Sequence, residues 1–208
     1  PKEHSAEYQA QPMIDLAFRM RDKVANLADV ATVTIHTSHH THAVIGSGAN
    51  DPEKYDPDAS RETLDHSLPY IFAVALEDGI WRHDASYTPD RAHRPETIAL
   101  WRKIVTAHDD EWERRYYSMD LTEKAFGGRV DITMEDGTVI SDELAMANAH
   151  PLGAKPFQRP DYIRKFRMLA ADSMSDSAQA DFLDAVETMT EGSPLDLNPV
   201  IDLIELAT

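Results

Sequence analysis

Three hydrogen-bonding side chains, His66, Ser67 and Tyr70, are closely spaced in the stretch Asp65-His66-Ser67-Leu68-Pro69-Tyr70. An imidazole gives or takes a proton near neutral pH, and both hydroxyls donate and accept hydrogen bonds. At the mouth of a helix these groups could converge on a ligand. A second candidate is Ser38-His39-His40-Thr41-His42. Imidazole is the commonest protein ligand for zinc, but no H-E-x-x-H pattern and no second ligand cluster at fixed spacing accompanies it. In an extended segment His40 and His42 share one face and His39 takes the other. The expected reading is a polar loop or strand end that holds no metal, with a histidine metal module as the rival.

The elements around these residues follow from pattern. Asp65 or Ser67 can cap a helix, Pro69 is tolerated in its first turn, and Ile71 to Leu76 is apolar all round. Gly79 suits its end. This buried helix, over residues 65–79, organises the rest. Upstream, Met13, Leu16, Ala17, Met20, Val24 and Leu27 recur at three- and four-residue steps, predicting a helix over residues 5–27 with Ser5 as cap. Residues 29–37 alternate as a strand, with Val30, Thr32, Thr34 and His36 on one face and Ala31, Val33 and Ile35 on the other.

Residues 46–64 read as loop, and Gly46-Ser47-Gly48 is too short for a phosphate loop. After an irregular stretch through Arg94, Pro95 opens a helix expected to run to about Ala107. Trp112, Tyr116 and Tyr117 read as structural. Val130, Ile132 and Met134 alternate into Glu135-Asp136-Gly137-Thr138, a hairpin mark, with the return strand through Leu144. After a Pro-rich connector, helices begin near Asp161, near Ser175 or Asp176, and at Asn198-Pro199. The pattern is α+β, with a small mainly antiparallel sheet and packed helices followed by C-terminal helices.

Composition excludes several classes of function. The 37 acidic against 20 basic residues give a net charge of −17, a field that opposes binding to nucleic acid or an anionic membrane. A small anionic substrate would need a local basic pocket, from Lys2, Arg82, Arg91, Arg94, Arg102, Lys103, Arg114, Arg115 or Arg129. There is no cysteine, so no disulfide, thiolate nucleophile or Cys-ligated iron–sulfur cluster forms within these residues; this fits a reducing compartment. No apolar run approaches the roughly 18 residues of a membrane span. With 208 residues, 42% of them hydrophobic, the chain can bury a sizeable core. It opens without Met in what reads as mid-domain sequence, so a piece of a longer protein is expected.

Taken in order, S-A-E-Y-Q-A-Q at 5–11, V-T-I-H-T at 33–37, D-H-S-L-P-Y at 65–70, Asp78-Gly79, E-D-G-T at 135–138 and H-P-L-G at 150–153 resemble the C-terminal part of the MmgE/PrpD family. Within that family they are most similar to the 2-methylcitrate dehydratases. The likeness covers nearly the whole chain. It implies a helical domain built mostly from residues not present here, and an inserted α+β lid domain. Residues 1–28 would form a helix entering the lid, residues 29–155 the lid itself, and residues 156–208 helices that pack on the helical domain.

The resemblance implies removal of water from 2-methylcitrate to give cis-2-methylaconitate in propionate breakdown, with no cofactor and no iron–sulfur cluster. The alternatives are a sibling such as cis-aconitate decarboxylase, or a lid domain inactive by itself. The implied partners are a small tricarboxylate and, at full length, a second copy in a homodimer; the implied location is cytoplasmic. Lys2 takes the place of an active-site lysine, although His4-Ser5 stands where an aromatic residue and proline are usual. Tyr70 matches a tyrosine facing the substrate, and His66 begins its motif. These three are the implied catalytic residues, with Glu7 and Ser67 binding substrate and the principal base lying outside the chain.

Overall fold

The computed structural model describes residues 2–187, and the expected helix at Asn198-Pro199 lies outside them. The chain divides into two compact units, Pro1–Pro156 and Phe157–Thr208. The first unit runs α1 (Gln11–Arg21), β1 (Val30–Thr37), α2 (His39–Val44), α3 (Arg61–Asp65), α4 (Leu68–Asp78), α5 (Pro89–Ala92), α6 (Pro95–Trp101), β2 (Ile104–His108), α7 (Asp110–Tyr117), β3 (Gly128–Met134) and β4 (Val139–Leu144). Short 3-10 turns join several of these. The fold is α+β, and the sheet order is β2-β1-β3-β4.

β3 and β4 form the expected antiparallel hairpin, with Gly137 at φ 86° in its turn. β1 pairs antiparallel with β3 and parallel with β2, which makes the sheet mixed. The expected helix from Pro95 to Ala107 is two elements. Ile98, Leu100, Trp101, Ile104 and Val105 keep helical spacing across a real break at Arg102 and Lys103, whose N–H groups close the helix on Ile98 O and Leu100 O. The β-branched run that follows becomes β2, with Ile104 and Thr106 inward and Val105 outward.

β1 departs from strict alternation. Val30, Val33 and Ile35 are all buried, because the register shifts between Val30 and Thr32. That bulge adds a residue to one strand, so Val30 lies with Val33 and not with Thr32.

The first helix also starts later than expected. Pro12 has no N–H to give Tyr8 O, so a helix through residues 5–12 would lose a bond in its interior. Gln11 instead turns its side chain back: Nε2 donates to His4 O, Ala6 O and Glu7 O at 3.0, 3.0 and 3.1 Å, and Oε1 accepts from His4 N at 2.9 Å. Residues 2–10 are therefore an ordered loop, and α1 opens at Gln11 with Pro12 in its first turn.

α4 is the centre of the core. Every residue from Leu68 to Leu76 is buried, because α1, α3, α6, β2 and the 3-10 turn Pro52–Tyr55 surround it. Each buried Leu, Ile, Phe or Val side chain contributes about 1.5–3 kcal/mol. Gly79, at φ 64°, ends the helix with its N–H on Ala75 O. Glu77 and Asp78 lie at the C-terminal end, where the helix dipole disfavours negative charge. The buried Arg91 offsets them, with Nη2 on Glu77 Oε2 at 2.6 Å.

The second unit contains α8 (Arg159–Ala170) and α9 (Asp176–Glu187) among the described residues. Phe166 stacks on Phe182 with ring centroids 4.8 Å apart. Asp161 is not the cap of α8; it is the third helical residue, closing a capping box with Gln158. Ser175 Oγ accepts the Ala178 N–H ahead of α9. No helix among the described residues is long and apolar enough to cross a membrane.

Candidate functional site

The start of α4 sends its three polar side chains in different directions. Ser67 is the cap: its Oγ accepts from Tyr70 N at 3.3 Å and donates to Lys54 O at 2.6 Å, fully buried. Tyr70 turns into the core, where its hydroxyl donates to Ser86 O at 2.6 Å and its ring meets Trp101 edge-on. Burial holds its pKa well above the ordinary tyrosine value. His66 points outward, half exposed, with Nδ1–H on Glu62 O at 3.0 Å. That bond leaves Nε2 as the basic nitrogen of the neutral ring. The expected convergence of His66, Ser67 and Tyr70 on one ligand is thus not found. Capping turns Ser67 onto the backbone, and the apolar face of α4 carries Tyr70 inward.

A different pairing is found. Lys2 is exposed and Glu7 half-buried, at either end of the loop that Gln11 holds. Between them, Ser5 O accepts from Tyr87 Oη at 2.8 Å and from Trp81 Nε1 at 3.1 Å. Tyr87 Oη also lies 2.8 Å from Asp65 Oδ1, the residue before His66. One phenol therefore touches both segments that the sequence singles out. Tyr87 itself lies in a stretch that reads as irregular. The signal that finds it is Tyr87-Thr88-Pro89: Thr88 caps α5, and an aromatic residue just before a cap ordinarily folds inward.

Two further markers meet around Phe126. Tyr8 and His150 place their rings 5.6 and 5.8 Å from it, lining a small hollow with Gln11, Pro12 and Met146. Burial lowers the His150 pKa, and its Nδ1 accepts from Leu152 N at 3.0 Å. On the other side of this loop the Gln9 carboxamide sits between Glu7 and His40, its oxygen accepting from His40 Nε2 at 3.3 Å.

The histidine run is not the extended segment expected. Ser38 Oγ accepts from Thr41 N and caps α2, so the three imidazoles fan around a helix. His39 packs edge-on to His108, His40 lies against Tyr116, and His42 Nδ1 meets Thr106 Oγ1 at 2.7 Å. They do not face a common point. Glu3, His4 and Asp15 do bring one ligand atom each within 4.8 Å of one another. His4 Nε2 lies 3.1 Å from Asp15 Oδ1, and Asp15 Oδ2 accepts from Asn148 N at 2.7 Å. That closed set of contacts explains the buried carboxylate without a cation.

Several basic candidates are committed within the fold. Arg91 serves Glu77 and Asp78, Arg114 bridges Glu111 and Glu123, Arg129 faces Asp131, and Lys103 Nζ donates to Val30 O.

Comparison with known proteins agrees with the resemblance read from the sequence. The sequence model of the MmgE/PrpD C-terminal domain matches residues 4–191. The alkylcitrate dehydratase phiI of Fungal sp. (strain ATCC 74256) is 27% identical over 128 residues, which are 61% of this chain and 24% of that protein. The chain thus spans about a quarter of the length of this curated relative. With nearly all of its residues matched, the chain belongs to the MmgE/PrpD family, as a C-terminal domain of that family.

Proposed function

We propose that this domain is the lid-side part of a dehydratase that removes water from an alkyl-substituted citrate, with 2-methylcitrate as substrate and cis-2-methylaconitate as product. The observation that carries the reading is the family match together with a relative named as an alkylcitrate dehydratase. The reaction takes a proton from C3 and expels the hydroxyl from C2. It needs a base, an acid for the leaving oxygen, and cations to hold the carboxylates. Lys2 is the cation for a substrate carboxylate or a proton carrier. His66, with a basic Nε2 facing outward, hydrogen-bonds the substrate, and Glu7 closes the far end of the same loop.

Tyr70 and Ser67 support this site from beneath, Ser67 by capping α4 and Tyr70 by holding Ser86 O. The principal base comes from a helical domain on which α8 and α9 pack. No cofactor takes part, and the whole enzyme is a cytoplasmic homodimer. The test is turnover of 2-methylcitrate by the whole enzyme, followed as absorbance of the unsaturated product, with Lys2→Ala and His66→Ala alongside. Loss of turnover in both variants at retained melting temperature supports the reading. Parent-like rates in both reject the assignment of Lys2 and His66.

A further inference from the structure

We propose that Tyr87 is a positioning residue that ties the 2–7 loop to the end of α3, directly before His66, and so fixes Lys2 and Glu7 relative to His66. The inference rests on the assignment of those residues to the site. It goes further in naming what sets their geometry.

The loop has no helix or strand of its own, so its place depends on side chains that grip its backbone. Gln11 grips one side, on His4, Ala6 and Glu7. The other grip is on Ser5 O, from Tyr87 Oη and Trp81 Nε1. Tyr87 is a rigid post for this purpose. Its ring is 5% exposed, stacks on Tyr70, meets Trp81 edge-on at 5.3 Å, and carries the Arg61 guanidinium 5.0 Å over its face.

Packing alone would be served by phenylalanine. The hydroxyl shares its one proton between two acceptors from separate segments, Ser5 O and Asp65 Oδ1, each 2.8 Å from the phenolic oxygen. Ser5 lies between Lys2 and Glu7, and Asp65 directly precedes His66. A single phenolic hydroxyl therefore bridges the two segments. Tyr87 does not touch substrate in this scheme; it acts through the loop.

The experiment compares the whole enzyme with its Tyr87→Phe variant, by backbone hydrogen exchange at residues 2–9 and by steady-state kinetics on 2-methylcitrate. The expected result is a native circular dichroism spectrum and exchange at least about tenfold faster in residues 2–9. Turnover number is expected to fall about tenfold with KM nearly unchanged, because small misplacements act on the transition state. Unchanged exchange in residues 2–9 overturns the proposal whatever the rates. Faster exchange with parent-like kinetics keeps the clamp and rejects instead the placing of Lys2 and Glu7 in the site. Should Tyr87→Phe fail to fold, NMR of the parent enzyme reads the Tyr87 hydroxyl proton directly. A hydroxyl proton that exchanges slowly with water supports the clamp, and one that exchanges freely overturns it.

Discussion

Arg91 meets Asp78 as a fork, Nε on Oδ2 at 3.2 Å and Nη2 on Oδ1 at 3.1 Å. Glu77 shares the same guanidinium, and Thr97 lies against both. The side chains of Arg91, Glu77 and Asp78 are 3%, 14% and 17% exposed, so the two carboxylates have limited access to water when the guanidinium is removed. We expect Arg91→Ala to destabilise the domain by about 3–5 kcal/mol, the usual result of leaving buried charges without their partner. Chemical denaturation of parent and variant measures this. A loss below about 1 kcal/mol would place the group in effective contact with solvent.

Ser67→Ala separates a structural from a binding role. The substitution removes the cap of α4 and leaves Lys54 O, buried beside it, without its donor. A stability loss of about 1–2 kcal/mol is expected. KM of the whole enzyme for 2-methylcitrate should change less than about twofold, since the hydroxyl is used twice by the backbone. A large rise in KM at unchanged stability would assign Ser67 to the substrate.

His42 gives the domain an acid-sensitive point. Burial lowers its pKa from the ordinary 6.5, and the nearby His39 and His108 lower it further. Its Nδ1 lies 2.7 Å from Thr106 Oγ1, which also takes the Ser47 N–H at 3.0 Å. The unfolded chain binds a proton at this residue near pH 6.5 and the folded one resists it. The contribution is therefore complete above pH 6.5 and declines as pH falls through and below that value. The fall in melting temperature between pH 7.5 and 5.5 should be smaller in His42→Gln than in the parent. Equal falls would remove His42 as its source.

Gly137 offers a cleaner backbone test. A Cβ there meets nothing within 4 Å, yet φ is 86°. Gly137→Ala should cost roughly 1–2 kcal/mol through backbone conformation alone, and Gly137→Asn less, since asparagine tolerates positive φ. Thermal melts of the two variants give the ordering, and equal losses would point to a cause other than φ.

Much of the fold is legible in the residues. Ile71 to Leu76 announces a buried helix, Asp136-Gly137 a hairpin, and Val33 and Ile35 a strand face. Three features are not, for separate reasons. The bulge in β1 depends on pairing with β3, which no local pattern encodes. β2 hides because Trp101 and Ile104 keep helical spacing across the break between helix and strand. The late start of α1 turns on one proline and the reach of Gln11. For the site, the motif from Asp65 to Tyr70 is visible in sequence, whereas the inward turn of Tyr70 and the meeting of Ser5 with Tyr87 are products of tertiary packing.

The strand order carries a kinetic consequence. β3 and β4 are joined by a tight turn and can pair as soon as both exist. β1, the second strand in the sheet, must find β2 across all of α2 to α6 and must also find β3. Closing such long loops is entropically costly before any contact rewards it. The hairpin therefore forms early, and docking of β1 between its two neighbours governs how fast the domain folds. Substitutions at Val33 or Ile35 should slow refolding more than those at Val139 or Ser141.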